Sequence, residues 1–178
     1  MSTFDLKLRS ADQAGDQHFI FRCYEAGMRQ HVEWAWGWDA TTQREGFWRN
    51  LPLSGFLIIE RNECPAGMLF VEVTNDAHVL RMIVLDPRFQ NLGLGSHLIQ
   101  AEINRAHGSG KVLLLTVIKS NRAKALYERL GMSVVGEAPR TLSMRSSGPL
   151  AAAAPTVAAG AHPACKSRPV TPGDTPCA

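Results

Sequence analysis

The sequence predicts a single mixed α/β domain, and three observations carry that expectation. Runs with strand character and runs with helical periodicity succeed one another along residues 1–145. The chain has 178 residues, enough for one packed domain and short for two. The content is 45% hydrophobic and 20% charged, but the composition changes abruptly near Ser146.

The elements follow in order. Residues 12–28 read as a helix, with Phe19, Ile20, Cys23 and Ala26 or Gly27 recurring on one side. Residues 41–51 read as a second helix, capped by Thr41 or Thr42, with Glu45 at capping-box spacing from Thr42. Three strand-like runs come next, at 55–60, 67–73 and 78–85. The links between them carry turn chemistry, so an antiparallel meander is expected. Pro87 stops the third run. A helix over 93–107 would bury Leu94, Leu98, Ile99, Ala101 and Ile103. Residues 111–118, KVLLLTVI, are continuously apolar and suit a central strand covered on both faces. Ala123, Leu126, Tyr127 and Leu130 form the stripe of a helix over 121–130, which Gly131 would end. Two strands, 133–137 and 140–145, close the core.

Residues 146–178 hold six of the ten prolines and no aromatic residue. Such a segment cannot bury enough apolar surface to offset its ordering entropy, so it is read as a flexible tail beyond a 1–145 domain. Nineteen Lys and Arg against sixteen Asp and Glu leave +3, too little to imply a nucleic-acid partner. No apolar run approaches the ~20 residues that a membrane-spanning helix needs, and no membrane partner is expected. The N-terminus lacks a basic start followed by an apolar stretch. Cys23, Cys64, Cys165 and Cys177 have no CxxC spacing, which suits a reducing cytoplasm. The six histidines are scattered without ligand spacing, so no metal is expected.

The chemistry concentrates at QNLGLGS (90–96), between a strand and a helix. Gly93 and Gly95 let the backbone turn tightly and approach a ligand. Amide hydrogens at a helix N-terminus then favour an anion such as a diphosphate. The spacing fits neither the Rossmann fingerprint nor the P-loop. Taken alone, the turn is either an anion site or a plain strand–helix connector.

The stretch 82–132 resembles the GNAT superfamily of acyl-CoA-dependent N-acyltransferases. IVLDPRFQNLGLG places Gln90, Gly93 and Gly95 in the family's Gln/Arg-x-x-Gly-x-Gly/Ala motif. TVIKSNRAKALYERLGM places Asn121, Tyr127, Leu130 and Gly131 in its second motif, with Met132 for the usual Phe. The resemblance implies a mostly antiparallel sheet of about six or seven strands, a splayed central pair, and helices on both faces. It implies acetyl-CoA as acyl donor, without a metal. The arm of the donor would pair with the main chain of Ile83 and Leu85. Amides of Gln90, Asn91, Leu92, Gly93, Leu94, Gly95 and Ser96 would surround the diphosphate. Asn121 would contact the arm, and Tyr127 would protonate the departing thiolate. Tyr127 is also a core aromatic on its helical stripe. No covalent acyl-enzyme is required, so Cys23 and Cys64 are read as small apolar fillers.

The acceptor side departs from the pattern. Val79 stands where some members place a Glu, and Arg81 where others place an acidic residue. The base is therefore unassigned, with Glu33 and Glu72 as candidates. All four tryptophans fall in 34–48. Trp36 and its neighbours are expected to line the acceptor pocket, with Glu33 or Asp39 drawing in a cationic amine, or else to pack the helices onto the sheet. Arg81 points to an acceptor that also carries a carboxylate. The leading expectation is acetyl transfer to a small-molecule amine by a monomer or homodimer. Peptide N-acetylation and a non-catalytic acyl-CoA-binding module are the alternatives.

Overall fold

Residues 6–10, LKLRS, alternate apolar and charged side chains and form the first strand, β1 (Leu6–Ser10). The sequence reading passed over this strand. The structure, a computed structural model, describes residues 5–148. Most of the expected tail lies outside those residues. Its first residue does not: Ser146 belongs to the last strand, and its Oγ accepts from Leu113 N at 2.9 Å.

Helix α1 (Asp16–Trp36) starts four residues later than expected and runs eight residues further. Val32 and Ala35 continue its buried stripe, so the helix persists until Gly37, at φ 80°, turns the chain. Two of the four tryptophans are thereby helical. Helix α2 (Ala40–Asn50) is capped by Asp39, whose Oδ1 accepts from Thr42 N at 2.8 Å. The expected threonine caps are not used, because Thr41 and Thr42 are already helical while Asp39 holds the extended backbone that a cap requires.

Strands β2 (Phe56–Arg61), β3 (Cys64–Val73) and β4 (Ala77–Leu85) form the expected meander. Asn62 and Glu63, both left-handed, make a two-residue hairpin turn that matches the twist of the strands. Hence β3 begins at Cys64, three residues earlier than read. Helix α3 (Leu94–Gly108), strand β5 (Val112–Ile118), helix α4 (Ala123–Arg129) and strands β6 (Met132–Glu137) and β7 (Thr141–Ser146) complete the domain. In α3 Ala101, expected to be buried, is exposed, and the neighbouring Glu102 is buried.

The seven strands lie in the order β1-β2-β3-β4-β5-β7-β6. Every neighbouring pair is antiparallel except β4 and β5. Helices α1 and α2 cover one face, where Ile20, Tyr24, Phe47, Phe56 and Met68 form a core. Helices α3 and α4 cover the other, over Leu69, Ile99, Leu113 and Met144. This is the fold class that the resemblance implied.

Two irregularities shape the sheet. In β4, Met82 faces Phe70 and Leu80 faces Val71, so Arg81 is an extra residue. This bulge re-phases the strand: Leu80 joins the core under α3, whereas Met82 joins the core under α1. In β6, a register break between Val134 and Gly136 leaves Val134 and Val135 both exposed on the sheet edge.

An ion network anchors the N-terminal half. Arg9 on β1 binds Asp16 through two bonds, at 2.7 and 2.9 Å, and Glu60 on β2 at 2.6 Å. All three side chains are largely buried. Removing the guanidinium strands two carboxylates, which costs about 3–5 kcal/mol. Hydrogen bonding to Arg9 holds the Asp16 carboxyl below its ordinary value. Its contribution is therefore complete above the unfolded value of ~3.9 and fades as pH falls through the folded value. Arg9→Met is expected to lower unfolding free energy in urea by about 3 kcal/mol at neutral pH. The gap to wild type should hold down to pH ~4 and narrow below it.

Candidate active site

The site begins where β4 and β5 part. Their parallel pairing runs from Ala77↔Val112 to Leu80↔Leu115 and stops. Beyond it, Met82–Leu85 stays on β3 while Thr116–Ile118 stays on β7. Asp86 N donates to Ala66 O at 2.9 Å. By strand alternation Val84 and Met82 then turn their main-chain groups to β3, and Ile83 and Leu85 turn theirs to the gap. The Leu85 carbonyl is occupied, since Gln90 Nε2 donates to it at 2.9 Å. Ile83 keeps both groups and Leu85 keeps its N–H for an extended ligand.

Helix α1 closes one wall. A Cβ on Gly27 would lie 2.5 Å from Val84 Cγ1, so only glycine lets the helix sit this close to β4. A cavity of about 50 Å³ fills the split, bordered by Met28, Arg81, Ile83, Asn121 and Tyr127. It opens into a cleft of about 1110 Å³ that passes Leu85, Gly93, Ser96 and Arg122. Met28, Ile83, Asn121 and Tyr127 border both spaces and mark their junction.

The glycine turn forms the far wall of the cleft. Asn91 and Gly93 both adopt left-handed backbone, φ 59° and 79°. Helix α3 then starts with no side-chain cap. Gln90 N donates to Pro87 O at 3.3 Å and His97 N to Gly93 O at 3.1 Å. Between them, the amides of residues 91–96 have no backbone acceptor among the described residues. Free donors at a helix start make an anion site. Arg122 and Arg129 also border the cleft, and among the described residues no carboxylate does. The donor set and the charge both fit a nucleotide diphosphate. Gln90, by contrast, spends its amide on Pro87 and its side chain on Leu85 and stands outside the donor set.

The remaining residues fall into two groups. Asn121 precedes α4, its Oδ1 accepting from Ala123 N at 2.9 Å. Its Nδ2 lies 4.0 Å from Met28 Sδ. Tyr127 is buried to 7% exposure and borders both spaces. Burial pushes its hydroxyl up to about 12. Burial also pushes the Cys23 thiol up to about 11, away from nucleophilic use. Glu33, Trp36 and Glu72 do not border the cavities. Glu33 is exposed on α1; Trp36, Trp38 and Trp48 pack on the core under α1 and α2; Asp39 is spent as a cap. Glu72 is exposed and pairs with Arg81 at 3.7 Å. Several cleft residues escaped the sequence reading, Arg122, Arg129 and His31 among them. His31 borders the cleft and reaches Ser120 Oγ at 3.2 Å through Nδ1. A lone histidine without ligand spacing carries no signal in sequence, and its partner is 89 residues away.

Residues 20–132 match the model of the acetyltransferase (GNAT) family. No curated protein matches the chain. Solved structures do. A PaiA N-acetyltransferase from Thermoplasma acidophilum in complex with coenzyme A is 14% identical, with TM-score 0.57, over 79% of this chain and 98% of that one. The ribosomal-protein-S18-alanine N-acetyltransferase of Escherichia coli is 23% identical, with TM-score 0.53, over 83% and 99%. The N-acetylglutamate synthase of Neisseria gonorrhoeae, complexed with coenzyme A and N-acetyl-glutamate, is 17% identical, with TM-score 0.54, over 79% and 34%. At these identities the likeness is one of fold.

Gly93→Glu tests the turn. A left-handed position costs an L residue about 1–2 kcal/mol, and the new carboxylate would stand among the free amides. Calorimetry with coenzyme A is expected to show binding to the wild type and none to the variant.

Proposed function

The chain belongs to the GNAT acetyltransferase family, and from that premise we propose that it moves an acetyl group from acetyl-CoA to a primary amine of a small molecule. When bound, acetyl-CoA supplies an electrophilic thioester carbonyl and a sulfur leaving group. The amides of residues 91–96 hold its diphosphate, with Arg122 and Arg129 adding charge. The gap-facing main chain of Ile83 and Leu85 holds its extended arm as an added strand would be held. Tyr127 then lies beside the sulfur and donates its phenolic proton as the C–S bond breaks. The amine attacks directly, without an acyl-enzyme.

One observation carries this reading: Tyr127, a buried residue, borders both the cleft and the split between the strands and so stands at their junction. Held near 12, it keeps its proton throughout the neutral range. Arg81 lies at the same split and favours an acceptor with an anionic group. A peptide α-amine remains the second reading, for a specific reason. Of the aromatic segment that would have closed the acceptor side, Trp36, Trp38 and Trp48 pack on the core under α1 and α2, and Trp34 is exposed.

Thiol release from acetyl-CoA across a panel of amines tests the activity; no release above hydrolysis with any of them would refute it. Tyr127→Phe is expected to lower kcat about 100-fold and leave coenzyme A affinity unchanged. An unaltered kcat would remove the proton-donor role.

A further inference from the structure

We propose that the imidazole of His31 is the base that takes the proton from the acceptor ammonium. The inference rests on the acetyl-transfer reading and names the proton acceptor that this reading lacks.

The need is chemical. An alkylammonium of pKa ~10.4 has no lone pair to attack with at neutral pH. A group inside the site must accept its proton. Five ionisable side chains border the two cavities among the described residues: His31, Arg81, Arg122, Tyr127 and Arg129. A guanidinium does not give up its proton in a protein. Tyr127 is held protonated by burial. His31 is what remains. Glu33 and Glu72, the candidates from sequence, lie outside both spaces, and Glu72 is turned to Arg81.

Geometry supports the role. His31 stands one helical turn beyond Met28, and Ser120 immediately precedes Asn121. Met28 and Asn121 both mark the junction where Tyr127 stands. Residues at i and i+3 on a helix are neighbours, with Cβ atoms roughly 5–6 Å apart. The Nδ1···Ser120 Oγ contact, 3.2 Å, fixes the ring. With Nδ1–H donating to the hydroxyl, Nε2 carries the lone pair. Nε2 has no partner among the described residues. Burial first, then the charge of Arg122, holds the ring below its ordinary value, so it is neutral and ready to accept. Of the other charges nearby, Lys119 pairs with Glu137, Arg29 lies over Trp38, and Glu33 is exposed on the next turn of α1.

The step balances. One N–H bond of the ammonium breaks and its proton passes to Nε2, giving an imidazolium that later releases it to solvent. The freed lone pair forms the C–N bond. The C–S bond breaks with its electron pair on sulfur, which takes the Tyr127 proton. A second proton from the acetylated nitrogen returns through solvent to the Tyr127 oxygen. One proton is released per turnover.

His31→Asn tests this, because the Asn amide can keep the bond to Ser120 while the Nε2 base is gone. Two acceptors are compared with acetyl-CoA: an alkylamine, protonated at neutral pH, and an aniline, which is not. The expected result is about a 100-fold loss of kcat/KM with the alkylamine and little loss with the aniline. The acid limb of the wild-type pH profile should vanish in the variant. It should coincide in the wild type with the titration of the His31 C2 proton, followed by NMR. Coenzyme A affinity, measured by calorimetry, should not change. Equal losses with both amines, an unchanged acid limb, or a loss confined to coenzyme A affinity would overturn the assignment. A wild type that binds coenzyme A and releases no thiol with either amine would overturn the acetyl-transfer reading and the base with it. Thiol release by a variant that matches the wild type would overturn the base alone.

Discussion

The parting of two parallel strands after four paired residues is the constraint on which the rest depends. A sheet that kept β4 on β5 would satisfy every main-chain group and leave no room for chemistry. Here the extra residue at Arg81 turns β4 away, and the Gln90 side chain takes up one of the carbonyls left over. Each backbone bond forgone costs about 0.5–1.5 kcal/mol. The two helical layers hold the gap open against that cost, α1 by its glycine contact with Val84 and α4 by the buried ring of Tyr127.

Charge explains the division of labour around the gap. The cleft is bordered by arginines, a histidine and free amides, an environment that gathers a polyanion. The same field opposes an ammonium. An amine reacts best in such a place if it enters neutral or loses its charge on arrival, and a neutral imidazole is compatible with neighbouring guanidinium groups in a way that a protonated one is not. Carboxylates, useful for attracting cations, are instead used as structural partners: Asp16 and Glu60 on Arg9, Asp39 as a cap, Glu137 on Lys119.

What was legible in the sequence depended on how local the cause was. The meander, the apolar β5 and the stripe of α4 follow from side-chain periodicity, and all three appear. The glycine turn was readable because Gly93 must hold a backbone that other residues avoid. The strand β1 was missed although LKLRS alternates properly, because five residues at an edge carry little signal until Arg9 finds Asp16 and Glu60. The end of α1 was misplaced because tryptophans read equally well as a loop or as a helix face. Ala101 was read as buried because periodicity assigns a face, and it is the packing of α3 that decides which neighbouring stripe goes inside. His31 was invisible for a different reason: its meaning lies in Ser120 and in a cleft that no carboxylate borders among the described residues.

The irregular edge at β6 has a consequence for the molecule in a crowded solution. A flat outer strand with two adjacent valines showing would be a template on which another chain could add, strand to strand. The register break between Val134 and Gly136 twists that border, so successive hydrogen-bonding groups no longer lie in one line. The domain can thus leave apolar side chains in water at its rim while denying a fibril the straight ladder that it would need to grow.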